Sequence, residues 1–238
     1  MAIKRALPTR EADSATAVNP SRAGAYRESY TLPLGGGNLM FGDEGSFFYA
    51  CNATVGTGIA GHAAPVVADT DTKSLLHVFN SGEKSIIPVY LNLHFSAIGA
   101  SGTVNYNVIY VDNGGATARS SGGTAITPVN VNASASSTTG ATVHFGAVVT
   151  APTASRKVFA QPCREVIPVV QDQISVFFGA PSGGMLSGLT TAATATANIV
   201  QYAPPVVIGP GDNMMFVRTR ASQSGADSYT FSFGYIER

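Results

Sequence analysis

Apolar and polar residues alternate in strand-length runs, turn residues separate those runs, and no window of eleven residues carries an apolar stripe of helical period. These observations predict an all-β chain: a two-sheet sandwich of jelly-roll type at residues 31–238, preceded by an extended N-terminal arm at residues 1–30. Nine or more short strands in about 200 residues, joined by tight turns and long connections, suit a sandwich better than an up-and-down barrel. No internal repeat supports a propeller.

The arm differs in composition from the rest of the chain. Lys4, Arg5, Arg10, Arg22 and Arg27 stand against Glu11, Asp13 and Glu28, a net charge of +2, and Pro8 and Pro20 interrupt any regular element. Without apolar periodicity this segment cannot bury enough surface to fold by itself, so it is expected to gain order by lying on another surface. A terminus that touches nothing is the alternative.

The first strand candidate is Phe47 to Cys51, followed by Leu75 to Asn80. In the run from Ile87 to Phe95, Ile87, Val89, Leu91, Leu93 and Phe95 fall on one face, and Pro88, Tyr90, Asn92 and His94 on the other. That alternation suits a sheet with one buried side, with Pro88 marking a bulge or an edge. Thr103 to Asp112 alternates Val104, Tyr106, Val108 and Tyr110 with Asn105, Asn107, Ile109 and Val111, and ends in the turn Asn113-Gly114-Gly115. Further candidates are Thr142 to Thr150, Lys157 to Ala160, Glu165 to Val170, Ile174 to Phe178, Asn198 to Tyr202, Met214 to Arg218 and Ser228 to Ile236. Ser81-Gly82-Glu83, Pro181 to Gly184 and Pro210-Gly211-Asp212 supply turn chemistry between them. Two stretches of small residues, Gly114 to Gly140 and Ala180 to Ala197, read as long loops, either packed on a neighbouring subunit or exposed to water.

Composition excludes whole classes of function. Of the 238 residues 45% are hydrophobic and 12% charged, against roughly 25% charged in an average soluble domain, so the chain buries a core and is not globally disordered. A formal net charge of zero gives no field to draw in nucleic acid or an anionic membrane. The start lacks the apolar run of a secretory signal, and no stretch approaches the roughly 18 apolar residues of a membrane span. The expectation is a soluble protein made in a reducing cytoplasm, where the sequons at Asn52 and Asn132 are chance. Cys51 and Cys163 match no metal-ligand spacing, and spacing alone leaves open whether they meet.

Chemical motifs are sparse. Gly56, Gly58 and Gly61 form a G-x-G-x-x-G, but a phosphate-binding loop of that kind must open a helix, and Pro65 falls where the helix has to form. A Gly-rich loop between strands accounts for it. Ser182 lacks the G-x-S-x-G elbow of a nucleophile, and His62, His77, His94 and His144 are scattered without an H-x-H or H-E-x-x-H spacing. His77 and His144 read as half-buried, hydrogen-bonded strand residues. Asp69 and Asp71, with Asp43 and Glu44, lack the Gly and Glu of a calcium loop. Asp112 with Asp212 or Asp227 is the acid pair to consider for sugar hydrolysis, and the absence of Trp removes the commonest sugar-stacking group. Neither enzymatic activity nor a cofactor or metal is expected.

The run from Glu44 through Phe47-Phe48-Tyr49-Ala50-Cys51 to Ala60, the segment Val78 to Leu91, and the closing segments Ile208 to Met215 and Phe233 to Arg238 resemble the jelly-roll structural proteins of tailed bacteriophage particles. The likeness is to those that decorate or cement the head, and it covers about 190 residues by layout. It implies a homotrimer that binds the major capsid protein on the outer capsid surface of the virion and stabilises it without chemistry. Nucleic acid and membrane are not expected partners. In this setting Lys4, Arg5, Arg10, Arg22 and Arg27 are the candidate partner-binding residues, because 30 extended residues reach roughly 90 to 100 Å. The alternative within virions is a receptor-binding or tail-associated module contacting a host glycan or protein. A small-virus coat protein with a genome-binding arm and a carbohydrate-active sandwich enzyme complete the set, the former disfavoured by the arm's weak charge.

Overall fold

The computed structural model describes residues 41–61, 74–99, 105–112, 119–149, 156–164, 169–179, 186–188, 198–211, 213–221 and 227–238. From Gly42 onward these belong to one compact unit, Gly42–Arg238. The predicted arm lies outside the described residues.

Fourteen strands are present among the described residues. They are β1 (Phe47–Cys51), β2 (Ile59–Ala60), β3 (Leu76–Asn80), β4 (Ile86–Ala97), β5 (Asn105–Asp112), β6 (Arg119–Ile126) and β7 (Val129–Asn130), followed by β8 (Ala141–Val149), β9 (Arg156–Arg164), β10 (Gln173–Phe178), β11 (Leu186–Gly188), β12 (Asn198–Ala203), β13 (Asn213–Ala221) and β14 (Ser228–Glu237). They form two sheets. The first has the order β11-β12-β10-β4-β14-β1-β7, with β2 added to β14, and the second the order β6-β8-β3-β13-β5-β9.

Within this array four antiparallel pairs are nested along the chain: β1 with β14, β3 with β13, β4 with β10, and β5 with β9. Each successive pair lies inside the previous one in sequence. Two four-stranded arrays, β1-β14-β4-β10 and β3-β13-β5-β9, result. The remaining strands extend their edges: β8 and β6 beyond β3, β7 beyond β1, and β12 and β11 beyond β10, with β12 parallel to β10.

The inner faces of the two sheets share one apolar cluster. Leu91, Leu93, Phe95, Ile174, Val176, Phe231 and Phe233 enter it from the first sheet, and Leu76, Val78, Ile109, Val143, Phe145 and Met215 from the second. Phe145 stacks on Phe231 with ring centroids 4.6 Å apart, which joins the sheets at the centre. The alternation of Tyr229, Phe231, Phe233 and Tyr235 reads directly into this core, where all four are buried. One polar pair crosses it, Asn107 Nδ2 donating to Gln201 Oε1 at 2.8 Å with both side chains fully buried.

The β4 alternation needs correcting at its start. Leu91, Leu93 and Phe95 face inward as expected, but Ile86 and Pro88 are buried in place of Ile87 and Val89. The register explains the change of phase: Gly234 pairs with Tyr90 and Tyr235 with Pro88, so Val89 is the extra residue of a β-bulge. Pro88, which has no N–H to give a ladder, sits beside that bulge in a central strand. Glu165 to Val170 is likewise not the strand expected over its described part. Val169 and Val170 enter a turn in which Asp172 Oδ2 accepts from Val169 N at 2.7 Å and Gln171 takes φ +78°.

Small-residue composition hid β6 and β7, which lie in the stretch read as a loop. Arg119–Ile126 pairs with β8, and Val129–Asn130 with β1. The side chain of Asn130 fixes the loop after β7, donating from Nδ2 to Gly45 O and Ser136 O and accepting from Asn132 N.

Candidate functional site

The predicted partner-binding residues Lys4, Arg5, Arg10, Arg22 and Arg27 lie outside the described residues, as do His62, Asp69, Asp71 and Ser182. In the G-x-G-x-x-G motif Gly56 takes φ +76°, and Ile59–Ala60 pairs with β14, so a strand stands where a phosphate loop requires a helix. His77 and His144 are opposite one another across β3 and β8, with ring centroids 6.3 Å apart. Both are buried, a deeper placement than the half-buried one expected. Cys51 carries a free thiol. No group of three or more His, Cys, Asp or Glu residues suited to a metal ion occurs among the described residues. None of their helices is long and apolar enough to cross a membrane.

The outer face of the first sheet brings together residues that the sequence shows only separately. Alternation along β4 turns Tyr90, Asn92 and His94 outward, and alternation along β14 does the same for Thr230, Ser232 and Gly234. Register then aligns them in ranks across the strands. One rank runs Val129, Tyr49, Gly234, Tyr90, Phe177 and Tyr202. The next runs Cys51, Ser232, Asn92, Ser175 and Val200, and a third holds Thr230, His94 and Gln173.

In the aromatic rank, a Cβ on Gly234 would lie 2.5 Å from Tyr90 Cε1 and 2.8 Å from its Cζ. The Tyr90 ring therefore covers the bare backbone of β14. Phe177 is 37% exposed, and its ring centroid is 6.1 Å from that of Tyr202. Tyr49, Tyr90 and Tyr202 are partly exposed. Burial raises the Tyr49 phenol above its ordinary value and the neighbouring Cys51 adds to this, while a hydrogen bond with Ser232 opposes it. Burial also raises Tyr90, followed by its neighbours Tyr49 and Cys51. Both phenols stay neutral at neutral pH.

The polar ranks are linked by hydrogen bonds. Asn92 Nδ2 donates to Ser232 Oγ at 3.3 Å, and His94 Nδ1 and Thr230 Oγ1 are 3.1 Å apart. Asn92 Oδ1 accepts no hydrogen bond. No Asp, Glu, Lys or Arg occupies these three ranks. Such a face offers ring surfaces, hydroxyls and amides to a ligand, but no ionic attraction.

Away from this face, a concavity of about 260 Å³ is lined by Val111, Asp112, Arg156, Val207, Ile208, Gly209 and Asn213. Asp112 is 4% exposed there, and neither carboxylate oxygen accepts a hydrogen bond. Its proposed acid partner Asp212 lies outside the described residues, and Asp227 is engaged elsewhere, accepting from Gly99 N and from the Tyr229 hydroxyl. No protein-family model, curated protein or solved structure matches the chain.

Proposed function

We propose that this chain is a jelly-roll virion structural protein, a decoration or cement protein that binds the outside of a phage head as a homotrimer and stabilises it. The observation that carries the reading is the nested pairing of β1 with β14, β3 with β13, β4 with β10 and β5 with β9. A long antiparallel ladder rolled into two four-stranded sheets would give this order, which supports the jelly-roll reading, an architecture used by virus shells. The low charge of the chain supports the same role, because surfaces with few ions meet without desolvating them.

In this reading the work is done by binding energy alone. Each subunit contributes a modest contact, and the trimer multiplies it through effective concentration, so the decorated shell is favoured over its ruptured state. The arm, through Lys4, Arg5, Arg10, Arg22 and Arg27, grips the major capsid protein. The test is the protein content of gradient-purified particles together with the mass of the purified chain in solution. Hundreds of copies per particle and a mass near three times 24.4 kDa are expected. A chain without residues 1–30 is expected to stay trimeric and to be lost from heads. A dozen or fewer copies per particle, or unchanged head binding without the arm, refutes the proposal.

A further inference from the structure

We propose that the outer face of the first sheet is a binding platform for a neutral, linear oligosaccharide. The site stands on the register of the first sheet and does not depend on the virion reading. Its aromatic rank runs from Tyr49 on β1 to Tyr202 on β12, four strand intervals. At roughly 4.8 Å per interval this spans about 19 Å, the length of a short sugar chain. Tyr90 lies across Gly234, and Phe177 is exposed beside Tyr202. Ring faces carry negative electrostatic potential and attract the slightly positive C–H faces of pyranose rings.

The neighbouring rank matches the other half of a sugar's chemistry. Asn92 and Ser232 lie two residues along their strands from Tyr90 and Gly234, about 6.6 Å away. A glycan stacked on the rings directs its hydroxyls at this rank, where the partly exposed Ser232 presents a hydroxyl held in place by Asn92 Nδ2.

Charge selects among ligands. The three ranks hold no Asp, Glu, Lys or Arg, so they offer no ion pair to phosphates, sulfates or uronic acids. Area selects against a second copy of the chain. The first two ranks are about 19 Å long and the third about 10 Å, and over about 13 Å of strand they cover roughly 220 Å², well below the roughly 800 Å² that each partner contributes to a stable protein interface.

The experiment is affinity electrophoresis of the full chain through gels containing soluble neutral polysaccharides (a mixed-linkage β-glucan, xylan, galactomannan, starch) or, separately, the acidic polygalacturonate. Retardation by at least one neutral polymer, insensitive to added salt, and none by polygalacturonate is expected. Tyr90→Ala and Phe177→Ala are each expected to weaken it about tenfold, the loss of one stacked ring, whereas Val55→Ala, at a 99% exposed site elsewhere, leaves it unchanged. Far-UV circular dichroism establishes that each variant is folded. Tyr90→Phe, which keeps the ring, retains most of the binding even if Tyr90→Ala fails to fold. The inference is overturned if no neutral polymer retards the chain, if Tyr90→Ala and Phe177→Ala bind like the parent, or if Phe177→Ala dissociates an oligomer that the parent forms.

Discussion

Replacing Asn80 with alanine removes the side chain that ties three segments together. Asn80 is fully buried, and its Nδ2 donates to Lys84 O at 2.8 Å, Gly209 O at 2.9 Å and Ile208 O at 3.0 Å. Its Oδ1 accepts from Gly82 N at 3.0 Å. The end of β3, the turn into β4 and the segment before β13 thus meet at one amide. Two carbonyls keep a second partner after the change, Ile208 O from Ile86 N and Gly209 O from Asn213 Nδ2, so the loss is not that of four orphaned groups. At about 1 kcal/mol net for each of the other two bonds, to Lys84 O and from Gly82 N, Asn80→Ala is expected to destabilise the protein by roughly 2 kcal/mol. For a chain of this size that lowers Tm by about 4 to 8 °C. Urea unfolding followed by tyrosine fluorescence measures it directly. Asn132→Ala provides the contrast: its side chain caps Asp43 O and Ser134 N in exposed bonds, and less than about 1 kcal/mol is expected. Asn80→Asp sharpens the test, because the new carboxylate faces three carbonyl oxygens. It is expected to be less stable than Asn80→Ala at neutral pH and to recover as pH falls, since the protonated form donates again. A loss below about 1 kcal/mol for Asn80→Ala, or equal losses at Asn80 and Asn132, refutes the argument that this amide joins the segments.

Two further outcomes rest on other contacts. A Cβ on Gly140 would lie 2.7 Å from Gly82 Cα and 3.0 Å from Gly82 N, a clash with backbone that no rotamer change relieves, so Gly140→Ala is expected to cost about 1 to 3 kcal/mol in the same unfolding assay. Tyr235 is fully buried, and burial raises its phenol well above the ordinary value against the opposing hydrogen bond to Thr139 at 3.0 Å, with Glu237 adding to the rise. Because the folded pKa exceeds the unfolded one of about 10, the stability this provides is intact below that pH and is lost as pH rises further. Tyr235→Phe is therefore expected to lower stability slightly at neutral pH and to flatten its fall above about pH 10, and parallel pH curves for parent and variant contradict this.

How much of the fold was legible in the sequence depended on how local the cause was. Strands with strong period-two alternation, such as Ser228 to Ile236, carry their own signal, since Tyr229, Phe231, Phe233 and Tyr235 all reach the core. The phase of β4 was readable only from Leu91 onward, because the bulge at Val89 depends on pairing with β14 and leaves no local mark except Pro88. Arg119–Ile126 is a strand because β8 presents an open edge to it, against its own Gly- and Ser-rich composition. The sequon at Asn52 has a structural explanation: its amide donates to Thr57 O and Tyr229 O and accepts from Phe231 N. The aromatic rank was half legible. Alternation turned Tyr90 to the face opposite Leu91, but that Tyr49, Phe177 and Tyr202 share its rank follows from register between segments up to 185 positions apart (234 − 49). Nothing in any one segment encodes that alignment.

The nesting of strand pairs also sets a timetable for synthesis. β14 lies between β1 and β4, yet it is the last of the three in chain order, about 180 residues after β1. At 5 to 20 residues per second the ribosome takes roughly 10 to 35 s to cover that distance. Throughout this interval the facing edges of β1 and β4 have no strand between them, and the core lacks Phe231, Phe233 and Tyr235. A nascent chain at this stage has a strand-wide slot that the β14 segment of a neighbouring polypeptide on the same message fits as well as its own. A longer interval before β14 emerges therefore promotes strand exchange between copies, and a shorter one favours closure of each subunit on its own β14.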